Sequence, residues 1–299
     1  MSVRVLQFGT TGQLARELIR HAPDYPVELT ALSRAECDLT DPEGAARMVW
    51  ERKPDLVIVA AAYTAVDQAE TDGETAHLVN AEAPSSIVGM CGLTGPAMVH
   101  FSTDFVFDGR KGSPYVETDE PDPLGVYGAS KLSGETTVVA CCPRALVLRT
   151  SWVVSAHGKN FVKTMLRLGR AGQPLRVVDD QRGRPTAAGD LARFVLSQAE
   201  RLAKGKAGDP CYGLFHFANA GEVSWRGFAE EILRQAMGAS APPVQPITTA
   251  EYPTPATRPA YSVLDTGKLE RTFGYTPRPW REALSEILAE LAAEEAAHA

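Results

Sequence analysis

Nowhere in this 299-residue chain is there a run of about 18 apolar residues, so no membrane-spanning helix is expected. A charged-then-apolar leader and a lipidation motif are also missing, and the expectation is a cytoplasmic protein. Cysteine is scarce: Cys37, Cys91, Cys141, Cys142 and Cys211 are odd in number, and their spacing suits neither a disulfide framework nor a zinc site. Reduced thiols are expected. The six histidines are scattered, no metal-ligand cluster is seen, and no metal-binding residue is assigned. Basic residues are outnumbered, 30 against 37 acidic, for a net charge of -7, which argues against nucleic acid or an anionic membrane as the main partner. Any anionic ligand must therefore be held locally. No internal repeat or low-complexity tract occurs, and 44% hydrophobic with 22% charged residues is the composition of a folded globular chain with a full core.

What is present begins with strand, glycine turn and helix. The apolar run Val3 to Phe8 is followed by Gly9-Thr-Thr-Gly12-Gln-Leu-Ala15 and then by a helical pattern to His21. Glycines at such a turn let the backbone approach a pyrophosphate, which then lies on the amides and the positive end of the helix. Gly9, Thr11, Gly12, Gln13 and Leu14 are accordingly candidate dinucleotide contacts. A second strand, Val27 to Leu32, ends at Ser33-Arg34, about where a ribose-binding acid stands in NAD proteins; a hydroxyl and an arginine suit a 2′-phosphate instead. NADPH is thus the expected cofactor, with NADH as the alternative, and a solvated surface arginine is the competing reading of Arg34. Asp38 and Leu39 follow as candidates beside the adenine, although Thr40-Asp-Pro also begins a helix well.

The continuous apolar strand Asp55 to Tyr63 is of the kind buried in a parallel sheet, and Ala60, Ala61, Ala62 and Tyr63 at its end leave room for a ribose and nicotinamide or for plain helix packing. Asn80 is either a polar tie to strand and cofactor or a structural asparagine. A further strand, Ala97 to Phe101, leads to Ser102-Thr103 at the same edge. Downstream, Tyr127-Gly-Ala-Ser-Lys131 puts a phenol and an ammonium one helical turn apart, where they can share a ligand. A nearby cation favours phenolate, so this spacing predicts a tyrosine brought into catalytic range. The strand Arg144 to Arg149 continues the alternation, and the economical fold is α/β, a doubly wound parallel sheet (Rossmann-like) with a smaller C-terminal substrate-binding lobe. Residues 1–152 are read as the nucleotide-binding domain, with a return of about 175–218 to the same sheet; 153–174 and 219–299 are assigned mainly to the lobe. Trp152 is either a flat face for a substrate ring or core.

Taken together these segments resemble the extended short-chain dehydrogenase/reductases, and more narrowly the dTDP-4-dehydrorhamnose reductase family. The resemblance runs from Val3 to about Leu291 and is carried by Gly9-Thr-Thr-Gly12-Gln-Leu, Ala60-Ala-Ala, Ser102-Thr-Asp-Phe-Val-Phe-Asp-Gly109, Tyr127-Gly-Ala-Ser-Lys131, Arg149-Thr-Ser-Trp152, Asn160-Phe, the 180–186 segment and Tyr252-Pro-Thr-Pro-Ala-Thr-Arg258-Pro. It implies NADPH-dependent reduction of the C4 ketone of a dTDP-sugar. Tyr127 is then the proton donor, Lys131 the residue that tunes it and holds the ribose, and Thr103 a hydrogen-bond partner of the carbonyl. By the same resemblance Asp104 and Phe105 line the pocket, Trp152 packs on the sugar, Asn160 joins the substrate contacts, and Arg258 with the 181–186 loop faces the nucleotide diphosphate. Phe105 stands where the family often has tyrosine, and Ala15 where a third glycine is common. A magnesium ion held between subunits in some members leaves Mg2+ and a homodimer open here: Glu17 matches one carboxylate, but Gly189 stands at another, with Asp190 beside it. Alternatives within the resemblance are a 4-ketoreductase for another dTDP-deoxysugar, a non-catalytic regulatory subunit, and an epimerase or dehydratase.

Overall fold

The computed structural model describes residues 2–172 and 174–298; Met1, Gln173 and Ala299 lie outside the described residues. Six parallel strands form the main sheet: β1 (Val3–Phe8), β2 (Val27–Leu32), β3 (Leu56–Val59), β4 (Ala97–Thr103), β5 (Ala145–Thr150) and β6 (Gly213–Phe217), in the spatial order β6-β5-β4-β3-β1-β2. Burial follows that order. Every residue of the central strands β3 and β4 is buried, including the polar His100, Ser102 and Thr103 of β4, whereas β2 alternates and lies at an edge. From β1 the chain winds outward to β2 and then crosses back to β3, so the carboxyl ends of β1 and β3 flank a switch in strand order, where open α/β sheets bind ligands.

Helices cover both faces. On one, α1 (Gln13–His21) and a later helix α6 (Ala188–Lys204) bury Leu18, Leu191, Phe194 and Val195 against the sheet. On the other, α2 (Pro42–Arg52), α3 (Ala83–Thr94) and α4 (Val126–Cys141) contribute Val49, Ile87, Val88 and Val138. Asp41 caps α2 by accepting from the Gly44 amide at 3.0 Å, with Pro42 in the first turn, so the helix-start reading of this segment holds.

A second core lies beside the sheet. It is built from α5 (Phe161–Arg170), α7 (Trp225–Met237) and α8 (Trp280–His298) around Val162, Leu166, Phe228, Ile232, Trp280 and Leu284. The expected return of 175–218 to the main sheet is corrected here. Leu175–Val178 pairs with Val244–Ile247 as a separate parallel ribbon packed on α7, and only α6 and β6 rejoin the sheet. Leu175 and Val177 find apolar cover in the lobe core, which a run of four alternating residues cannot reveal in advance.

Two glycines let α4 approach its neighbours, Gly128 the turn that follows β4 and Gly134 the helical segment Leu78–Glu82 that leads into α3. A Cβ on Gly128 would fall on the Phe105 carbonyl oxygen, and one on Gly134 on the Asn80 carbonyl oxygen, both far inside contact distance. Alanine is intrinsically favoured over glycine in a helix by about 1 kcal/mol. Backbone overlap is the larger effect here, on the order of 1–3 kcal/mol for an overpacked site. Gly134→Ala is therefore expected to lower the thermal unfolding midpoint by several degrees, and an unchanged or raised midpoint would show that α4 can move away from Asn80 freely.

Candidate active site

The carboxyl edge of the sheet opens into a cleft of about 640 Å3, lined at one end by Gly9, Thr11, Gly12, Gln13 and Leu14 and at the other by Thr103, Tyr127 and Lys131. Gly9 has a positive φ of 98°, and a Cβ there would lie 2.9 Å from the Ala61 Cβ, so the turn between β1 and α1 requires glycine. Gly12 begins α1 with no side-chain cap, and a Cβ on it would meet no protein atom. The amides at this helix start are therefore open to an anion in the cleft, and the cradle fits a dinucleotide pyrophosphate. Ala60, Ala61 and Ala62 line the floor between the two ends.

Chemistry concentrates where β4 meets α4. Thr103 ends β4, and its hydroxyl donates to the Asp104 carboxylate at 3.2 Å while accepting from the Phe105 amide. Tyr127 enters from the first turn of α4, its ring edge-on to Phe105 with centroids 5.7 Å apart. Lys131 lies one turn further on and is buried. Asn80 ties the floor together: it accepts from the Tyr63 amide and donates to the Tyr63 carbonyl and to the Ser130 hydroxyl on α4.

Burial dominates the acidities. It pushes Tyr127 up to about 12, with the Asp104 charge adding and a hydrogen bond with Thr103 opposing. It brings Lys131 down to about 8, against the pull of the Glu135 carboxylate. In the protein alone, burial of the phenolate form is the leading effect, so the phenol stands above its ordinary range. The same burial raises Asp104 to about 7, although hydrogen bonds from Ser262 and Thr103 favour its ionised form.

Several expected residues do not converge on this cleft. Ser33 gives its amide and hydroxyl to Glu36, and Arg34 pairs with Asp38 at 2.9 Å, all on the exposed end of β2. Asp38 also accepts from the Thr40 amide. Leu39 is buried among Leu6, Phe8 and Leu32 in the sheet core, and the Tyr63 hydroxyl donates to Asp72 at 3.1 Å. Gln13 and Asn160 line the cleft with their amide groups already engaged: Gln13 donates to the Val153 carbonyl and accepts from Ser155 and Asn160, while Asn160 also caps α5 through the Lys163 amide.

An adjoining pocket of about 500 Å3 shares Phe105, Trp152, Phe161 and Trp225 with the cleft and continues past Arg176, Gln181, Tyr252 and Arg258. Arg258 is held there by a bidentate pair with Asp67, at 2.7 and 2.8 Å. Of the 181–186 loop only Gln181 lines it; Arg182 pairs outward with Glu222. Trp152 has a left-handed backbone, φ 47°, and stacks on Trp225 with centroids 3.5 Å apart, so one of its faces is taken by protein. Trp225 and Phe161 were not among the expected site residues. Their aromatic character at helix starts reads as core until the lobe is seen folded over the cleft.

Glu17, His157 and Glu290 gather within 4.8 Å of one another. Arg20 already spans both carboxylates, at 2.5 Å from Glu17 and 3.2 Å from Glu290, and Asp190 is turned to Arg193, Arg278 and Asn219. A set holding a guanidinium and an imidazole does not fit Mg2+, which asks for an octahedron of oxygens. No helix among the described residues is long and apolar enough to cross a membrane.

A doubly wound sheet with a glycine turn at its switch point, and a Thr, Tyr and Lys set facing it, defines a nucleotide-dependent reductase of the Rossmann class. The comparisons carry this further. Residues 3–293 match the model of the RmlD substrate binding domain family. The chain is 42% identical to the dTDP-4-dehydrorhamnose reductase of Burkholderia thailandensis, over 97% of this chain and 99% of that one. It superposes on the dTDP-4-dehydrorhamnose reductase of Clostridium acetobutylicum with a TM-score of 0.90 at 39% identity, covering 97% and 99% of the two chains. The Bacillus anthracis enzyme of the same name, solved in complex with NADP, gives 0.88 at 33% identity, covering 97% and 100%. The chain belongs to the dTDP-4-dehydrorhamnose reductase family.

Asp104 offers a direct check on these electrostatics. A carboxyl raised from its ordinary range to about 7 binds more protons folded than unfolded between those values, so its contribution to stability falls as pH rises from about 4 to 7 and stays low above. Asp104→Asn removes that penalty. The variant is expected to gain several degrees in unfolding midpoint at pH 8 relative to wild type and little at pH 4.5; an equal change at both would show that Asp104 is ionised without strain.

Proposed function

We propose that this protein reduces the C4 ketone of dTDP-4-dehydro-L-rhamnose to dTDP-L-rhamnose with NADPH. The observation that carries the reading is the convergence of Thr103 and Tyr127 on one cleft, between a glycine cradle fit for a dinucleotide and a second pocket continuous with it. When bound, NADPH supplies the hydride. The chain's own groups do the rest. Tyr127 donates its proton to the developing alkoxide, and Thr103 turns its hydroxyl from Asp104 to the carbonyl oxygen. Lys131, cationic below about pH 8, favours loss of the phenolic proton and anchors the nicotinamide ribose. A phenol at about 12 before ligands bind keeps its proton until a base as strong as an alkoxide forms beside it.

The adjoining pocket suits the rest of such a substrate. Trp152, Trp225 and Phe161 give apolar faces for the deoxysugar and thymine, and Arg176 and Arg258 offer guanidinium groups to the diphosphate. Arg258 can turn to a phosphate only by sharing its pair with Asp67. Lack of a hydroxyl on Phe105 keeps this wall of the pocket apolar.

Purified protein with NADPH and enzymatically generated dTDP-4-dehydro-L-rhamnose is expected to consume reduced nicotinamide and yield dTDP-L-rhamnose by NMR, with Tyr127→Phe slower by about 100-fold or more. A different deoxysugar as product would reassign the substrate; NADPH binding without turnover would favour a regulatory subunit. For the cofactor, Arg34 must exchange Asp38 for the 2′-phosphate, so Arg34→Ala is expected to weaken NADPH several-fold more than NADH. Equal losses measured by fluorescence titration would remove Arg34 from cofactor choice.

A further inference from the structure

Lys131 is asked to carry a charge in a place where burial opposes one, so something nearby must hold it protonated. On α4, Tyr127, Lys131 and Glu135 recur every four residues and share the face turned to the sheet, which puts Glu135 one turn beyond the lysine on the side away from the substrate. Lys131 and Glu135 are both buried. Glu135 does not reach solvent for compensation; it is gripped in a bidentate pair by Arg149 of β5, with Nε 2.9 Å from Oε2. The Arg149 guanidinium is as deeply buried and lies 4.8 Å over the Phe107 ring.

We propose that the Glu135–Arg149 pair sets the charge state of Lys131, with Glu135 as a positioning residue that keeps the ammonium protonated and Arg149 as the brake that limits its pull. Nothing in the catalytic steps uses either residue, and a buried ion pair is weak evidence of stability in its own right. Its place does what a stabilising pair need not do: the carboxylate stands one helical turn from Lys131 and its charge favours the ammonium, while Arg149 holds that carboxylate from β5. This rests on the reading of Lys131 as the partner of Tyr127.

The other groups around the lysine leave it as the titrating centre. From its own helix come Tyr127, which holds its proton to about 12, and Glu135. From β4 comes His100, kept neutral by burial and by Lys131, with neither ring nitrogen hydrogen-bonded to protein. Asp104 follows β4 and titrates near 7. From β5 comes Arg149, and behind it His216 of β6, pushed down to about 3 by burial. Asn80, through Ser130, is uncharged. Between about pH 7 and 10, the charge change at this site is that of Lys131, pulled upward by Glu135.

The test is the pH dependence of kcat/KM for the NADPH-dependent reduction, together with NADPH affinity by fluorescence over the same range, for Glu135→Gln, Arg149→Gln and the double variant. Glu135→Gln is expected to move the basic limb of both profiles to lower pH by about one unit, the scale of a single close charge. Arg149→Gln is expected to move it to higher pH. The double variant falls between the singles and below wild type, since the carboxylate is the charge that acts on Lys131 from its own helix face. Circular dichroism and unfolding midpoints report folding. A limb unmoved in folded Glu135→Gln, or moved the same way by both singles, overturns the proposal. Should a single variant fail to fold, the double variant, in which two amides replace the ions, decides: a limb at or above the wild-type position overturns it. Lys131→Met separates the two readings, because a limb that persists without the lysine removes the assignment of Lys131 itself, and one that disappears leaves Glu135 and Arg149 as the only matter at issue.

Discussion

How closely α4 lies against the carboxyl edge of the sheet decides everything at the active centre. Tyr127 and Lys131 are fixed relative to each other by the helix repeat, but their distance from Thr103 is set by packing. At the end of β4 that packing is backbone against backbone, Gly128 passing the Phe105 carbonyl, and Gly134 brings α4 equally close to the Asn80 carbonyl of the helical segment before α3. Such a contact has little slack, because neither partner has a rotamer to change. The close approach also explains the acidities. With water squeezed out of the seam, the phenol, the ammonium and the Asp104 carboxyl all move toward their neutral forms.

Those shifts work against one another in a useful way. Raising Tyr127 alone would give a reluctant acid, and lowering Lys131 alone would take away the charge that helps it. Near neutrality the phenol therefore keeps its proton, while Lys131, at about 8, and Asp104, at about 7, stand close to their titration points. Thr103 is hydrogen-bonded to Asp104 and in reach of Tyr127, so it is the group through which a substrate oxygen joins the set. A ketone entering here meets donors already positioned at the cleft wall, Lys131 and Thr103 buried and Tyr127 half-buried.

What could be read from the chain alone divides along physical lines. The glycine turn, the buried strands and the tyrosine–lysine pair were legible because each is a local pattern whose period fixes its geometry. Side chains whose role depends on a partner chosen in three dimensions were not. The partners that these residues already have, Asp38 for Arg34, Glu36 for Ser33 and Asp72 for Tyr63, emerge only in three dimensions. Leu39 is pulled inward by the sheet core. Trp225 could not be placed from the sequence, since its contact with Trp152 exists only once the lobe has folded back over the sheet. The charge on Lys131 was visible as a residue type, whereas the dehydration that opposes it is a property of the assembled seam.

Gln13 shows how the two cores are made to act as one. In a dinucleotide turn a glutamine amide would be a ready donor to phosphate, yet both ends of this one are spent on the lobe: Nε2 donates to the Val153 carbonyl at 3.1 Å, and Oε1 accepts from Ser155 and from Asn160, the cap of α5. The side chain that begins α1 is thereby tied to the segment that leads into the lobe. Three hydrogen bonds thus join the start of α1 to residues 153–160. Trp152, immediately before Val153, is held in a left-handed backbone and stacked on Trp225, so the position of its ring over the substrate pocket depends on where that segment is anchored. Gln13, itself lining the cleft, therefore ties the glycine turn to the segment that carries the aromatic wall of the adjoining pocket.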